Sequence, residues 1–267
     1  QVLDLQIPRL IARGLYAEAR ALMERSWLEL GRTDHLYQLL FRRVTRPKPL
    51  KEQIALFGTL GASTRLPLSY RAYSRVVCAY RAAEANDPAL MHASLAALDA
   101  VAKGLEDDPN TRLCRQENRF NRTKLLISCY ATTLRLQLTL ADRPGAAVLG
   151  RRALQFCGSL DLTMIETDTS FRLTRNLMRV LAINVVEAWA SADAALYRES
   201  RQALQVVYDH AHRPEHDNRE VHEDHRAFAV QVMQRVALID PTLENAAAMK
   251  GAVEGLSLIH ISEPTRP

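Results

Sequence analysis

Four arginines at helical spacing form the most chemically suggestive pattern in the sequence. In TRLCRQENRFNRTK, Arg112, Arg115, Arg119 and Arg122 recur at intervals of three and four, so on a helix they share one narrow arc. Guanidinium groups arranged this way suit phosphate oxygens or carboxylates, which they grip in forked pairs. Two of the four fall in the first turn of the helix that the spacing predicts, where positive charge opposes the helix dipole by about 0.3–1 kcal/mol each. A phosphate-rich ligand, a nucleic-acid backbone or an acidic partner would justify that placement. Solvation accounts for the same residues without a ligand, with Asp107 and Asp108 offsetting the turn. A second stripe, Arg172, Arg175 and Arg179, points to another face of its own helix, so no continuous basic surface follows.

The histidines gather in HAHRPEHDNREVHEDH, where His210, His212, His216, His222 and His225 lie among carboxylates. Imidazole and carboxylate groups ligate divalent metals, and His222 and His225 can face the same way on a helix. A metal site needs convergent ligands held by outer partners, and no HExxH pattern occurs. A solvated polar loop is the preferred reading. In YRAYSRVVCAYR, Tyr70, Tyr73 and Tyr80 interleave with Arg71, Arg75 and Arg81. Such pairs can stack nucleic-acid bases, but at helical spacing, with no nucleic-acid module alongside, they read as packing residues. Glu166 and Asp168, beside Thr169 and Ser170, read as helix-start residues rather than an acid/base pair. The sequence lacks a Gly-rich phosphate loop and a GxSxG elbow, and ten glycines leave little material for cradling ligands. The expectation is a chain with no chemistry of its own and no cofactor.

The elements that must carry these residues are helices. Hydrophobic residues make up 48% of the chain, charged residues 24% and aromatics only 6%, a mix that suits close-packed helices better than sheets. The longest apolar runs, LLISCYATTLRLQLTLA and VLAINVVEAWASADAAL, are broken by Arg135, Glu187 and Asp193 and read as buried helices, not membrane spans. Cys78, Cys114, Cys129 and Cys157 show no CxxC, which points to reduced core thiols and a cytoplasmic setting. Lys and Arg outnumber Asp and Glu thirteen to six over 1–80 and are outnumbered seven to eleven over 193–255. That polarity can steer a partner.

The periodicity predicts N-terminal helical hairpins over 1–58, a loop over 59–67 within GTLGASTRLP, and hairpins over 68–104, 111–157, 161–211 and 219–255. Asp87, Asp142 and Asp193 mark the turns of the first three of these later hairpins, at a period of about 50 residues. Each hairpin has two apolar faces and cannot bury both alone, so neighbours are expected to stack as an α-solenoid. In LIARGLYAEARAL, Gly14, Tyr16 and Ala19 follow a Gly-x-Tyr-x-x-Ala spacing, and over about residues 10–40 the chain resembles tetratricopeptide-like helical repeats. The resemblance implies a stacked scaffold that binds a peptide or protein along a groove, and assigns no site residue. Leu256 through Arg266 resemble the translation of a sequencing adapter, so 256–267 is expected not to be native and both ends are expected to be cuts. The functional expectation is a protein-interaction scaffold. The alternatives are a module binding phosphates or nucleic acid through the Arg112–Arg122 stripe, and the non-catalytic helical part of a larger enzyme or regulator.

Overall fold

A computed structural model describes residues 2–19, 21–22, 25, 48–64, 66–107, 122–160, 172–211 and 228–236. Every described element is a helix: α1 (Val2–Ala12), α2 (Leu50–Ala62), α3 (Leu68–Glu84), α4 (Pro88–Asp107), α5 (Arg122–Thr139), α6 (Arg143–Gly158), α7 (Arg172–Ala190) and α8 (Ala194–Ala211). Shorter helical pieces lie at 16–19 and 228–236, and no strand occurs among the described residues. The fold is all-α, as composition and periodicity predict. Among the described residues no helix is long and apolar enough to cross a membrane.

One turn chemistry recurs. After α3, α5 and α7 the chain enters the left-handed region at Asn86, Ala141 and Ala192, with φ of 51°, 58° and 56°. The next residue in each case is an aspartate whose N–H returns to the carbonyl five residues back, Asp87 to Ala82, Asp142 to Gln137 and Asp193 to Ala188. These are helix-closing bonds that satisfy otherwise orphaned carbonyls. Each aspartate then caps the following helix: its Oδ1 accepts from the N–H of Leu90, Gly145 or Leu196 at 3.0–3.1 Å. A single Asp thus ends one helix and starts the next. Gly14, at φ 76°, closes α1 in the same way, with the Leu15 N–H on the Leu10 carbonyl.

The chain divides into two compact units, residues 1–125 and 126–267, so the boundary falls within α5. In the first unit α3 packs against both α2 and α4. Its Cys78 thiol donates to the Ile54 carbonyl of α2 and bonds Ser94 of α4, and burial raises that thiol's pKa above the usual value. Tyr70 and Tyr73 are core residues here, which is the packing role their spacing predicted. The loop expected over 59–67 is shorter, because α2 continues to Ala62. Leu60 and Gly61 are buried, and a Cβ at Gly61 would press on the Arg75 side chain at 2.7 Å. Tertiary packing of α2 overrides the helix-weakening effect of its two glycines.

In the second unit α7 is the central helix. Leu177, Met178, Val180, Leu181, Ala182, Val185, Val186 and Ala188 are all essentially inaccessible, so its apolar residues face inward on nearly every side. It packs on α6 and α8, and its Asn176 donates to Ser128 Oγ of α5 at 2.8 Å. Tyr130 of α5 meets Phe156 of α6 edge-on at 5.7 Å. In the 228–236 piece Ala229, Val232 and Val236 are buried, and Phe228 lies 5.3 Å from the Arg179 guanidinium of α7.

An L-residue other than Asn or Asp in the left-handed region carries a steric penalty that glycine escapes. Ala141→Gly and Ala192→Gly should therefore each stabilise the protein by about 1 kcal/mol, read as a rise in the urea midpoint without a change in slope. An unchanged or lowered midpoint would show that these turns are not held at positive φ.

Candidate functional site

The site follows from how α6 meets α7. Gly150 of α6 has no side chain, and a Cβ there would collide with Oδ1 of Asn184. Its absence brings the α6 backbone close enough for Asn184 Nδ2 to donate to the Gly150 carbonyl at 2.8 Å. Asn184 is buried, so this bond satisfies an amide that water cannot reach. Also against α7, α8 lays down Leu196, Leu204 and Val207 as its buried stripe.

Between α6 and α8 an open groove of about 750 Å³ remains. Leu181 of α7 lies at its floor, with Leu154 and Cys157 from α6 and Leu196, Ala203 and Val207 from α8 around it. The outer wall on α8 is Ala195, Glu199, Gln202 and Val206, which recur at i, i+4, i+7 and i+11 and share one helix face. Val206 is 45% exposed, and Val148 of α6 is 70% exposed. Both are apolar side chains where an amphipathic helix normally carries polar ones.

One end of the groove is tied by charge. Asp193, the α8 cap, offers Oδ1 to the Leu196 N–H, and its Oδ2 accepts from Arg151 of α6. The Leu196 N–H, and then Arg151, hold the Asp193 carboxyl below the usual carboxylate range. Cys157 at the floor is the opposite case: burial pushes its thiol up to about 12, so it is a protonated packing group and not a nucleophile. Glu187 of α7 is also buried. Burial raises its carboxyl pKa, with Arg143 at the start of α6 pulling the other way.

The residues singled out by type and spacing lie elsewhere. Arg112, Arg115 and Arg119 fall outside the described residues. Arg122 spends its guanidinium on the end of α4, donating to the Leu105 carbonyl through Nε and to the Glu106 carbonyl through Nη2 at 2.6 Å. A cation there answers both the dipole and two orphaned carbonyls. His210 is buried in the last turn of α8, while His212, His216, His222 and His225 fall outside the described residues, as do Glu166 and Asp168. Among the described residues no group of three His, Cys, Asp or Glu side chains converges as a metal site would require. Of the groove residues the sequence named only Cys157, as a core thiol, and Asp193, as a turn, and neither as part of a site. The signal that could have found them is Val206, an apolar residue on a face otherwise carrying Glu199 and Gln202. Against known proteins the chain has no match, whether to a family profile, to a curated protein or to a solved structure.

Two measurements test this geometry. Gly150→Ala should cost about 2–4 kcal/mol, from forced overpacking and a stranded buried amide, and the loss should show in the denaturation midpoint. A loss below half of that would mean α6 does not approach α7 this closely. For Glu187 the sign follows from a raised folded pKa: the native state binds more protons than the unfolded one, so stability falls as pH rises from the ordinary glutamate range through the raised value. Glu187→Gln should raise stability at neutral pH and flatten that decline in a pH series of melts.

Proposed function

We propose that the chain is a helical-repeat scaffold, built from stacked hairpins, that binds a peptide or protein partner along the groove between α6 and α8 and performs no chemistry itself. The observation that carries this reading is the groove: a concavity over the buried Leu181 and Val207, where the half-buried Leu154 and the exposed Val206 present apolar surface to solvent. Apolar surface left in water is unfavourable by roughly 25 cal/mol per Å², and concave apolar surface rimmed by polar groups is what a binding partner covers. The recurrent turns at Asn86–Asp87, Ala141–Asp142 and Ala192–Asp193 support the repeat part of the reading, since one closing chemistry builds each hairpin. No comparable observation favours the phosphate-binding alternative: of its four arginines only Arg122 is described, and it caps α4.

The test is selection of peptides from an unbiased library on the full chain, followed by affinity measurement on Leu154→Asp and Val206→Asp. Each places a carboxylate in the groove without touching the Asn184–Gly150 contact, and circular dichroism confirms the fold of each variant. Selected peptides should bind wild type and lose at least about tenfold in affinity, near 1.4 kcal/mol, on either variant. Equal binding to all three proteins would sink the reading.

A further inference from the structure

The walls of the groove say more than that something binds there. The exposed face from Ala195 through Glu199 and Gln202 to Val206 runs along α8 for about 16 Å at the helical rise. Opposite stand Arg151, Gln155 and Gly158 of α6. Ala195 and Gly158 are small, which leaves width for a bulky occupant. Both walls are helices whose backbone groups are bonded internally. An extended peptide on such walls would find no edge to pair with, and its own N–H and C=O groups would face an apolar floor unsatisfied. A helix arrives with those groups already bonded, and its side-chain ridges fit between two neighbouring helices.

The charge on the lining is also informative. Arg151 and Asp193 neutralise each other. Glu199, exposed on the wall, has no ion-pair partner among the described residues. The lining thus carries one uncompensated negative charge above an apolar floor.

We propose that the occupant is an amphipathic helix of a partner protein, its apolar stripe lying against Leu154 and Val206 and a lysine or arginine beside that stripe meeting Glu199. This rests on the reading of the groove as a docking site. The test uses a library of helical peptides with leucine at i, i+4, i+7 and i+11 and randomised flanks, selected on wild type and on Glu199→Lys, with fluorescence anisotropy on both and on Val206→Asp. Wild type should enrich Lys and Arg at one flank, and Glu199→Lys should enrich Asp and Glu at that same flank. Swapping the flank charge should change affinity by roughly threefold, the size of a rim ion pair, and the difference should shrink with added salt. Binders without flank bias, or preferential selection of extended proline-containing sequences from the unbiased library, would overturn the proposal while leaving a groove that binds. Binders indifferent to Val206→Asp would overturn the groove reading itself. Self-association abolished by Val206→Asp would place a second copy of the chain in the groove and overturn it as well.

Discussion

The close approach of α6 to α7 at Gly150 governs the geometry of the second unit. Asn184 can reach the Gly150 carbonyl only because no Cβ intervenes. The contact fixes where along α7 the α6 helix crosses, and therefore how far Leu154 and Cys157 stand from Leu181. A leucine in place of Asn184 could pack, yet nothing would then select this register over a neighbouring one. Buried amides that are fully satisfied specify an arrangement more sharply than they stabilise it. Asn176, bonded to Ser128 of α5, has the same role two turns earlier, so α7 is located by polar contacts and buried by apolar ones.

The turns supply the complementary constraint. Closing a helix with a left-handed residue followed at once by a capping aspartate leaves almost no loop, so the two flanking helices must fold back on one another. Asn86 suits the left-handed position, as Asn and Asp do. Ala141 and Ala192 do not, and their presence shows that the closing bonds from Asp142 and Asp193 outweigh a steric penalty of roughly 1–2 kcal/mol per turn.

Much of this was legible in the sequence. Asp87, Asp142 and Asp193 announce the turns, because a short acid that can cap the next helix is the local signal of an N-terminus. The apolar run VLAINVVEAWA announces a buried helix, because apolar residues outnumber its two polar interruptions, Asn184 and Glu187. The end of α2 was misread: Gly58 and Gly61 look like loop residues locally, while the packing that keeps them helical comes from Arg75 and its neighbours on α3. The arginine pattern shows a different limit. Spacing placed Arg122 with Arg112, Arg115 and Arg119, but its guanidinium is directed to carbonyls seventeen and sixteen residues earlier, and no periodicity encodes that. The groove was illegible for the same reason. Its floor joins residues of three helices, and only the misplaced valine at 206 betrays it.

The groove survives because apolar burial is already complete beneath it. α6 and α8 each direct one stripe at α7, and α7 has no further face to offer, so the shoulders of the two outer helices cannot also be covered from below. The polar contact between them is local. Asp193 is committed through Oδ1 to capping α8, so the Arg151 side chain must come to wherever that cap stands. At that end the two walls are joined through a helix start and a guanidinium. A groove fixed by polar geometry and floored by leucine, valine and cysteine is preorganised, and a partner that filled it, as proposed, would spend little of its binding energy on ordering the site.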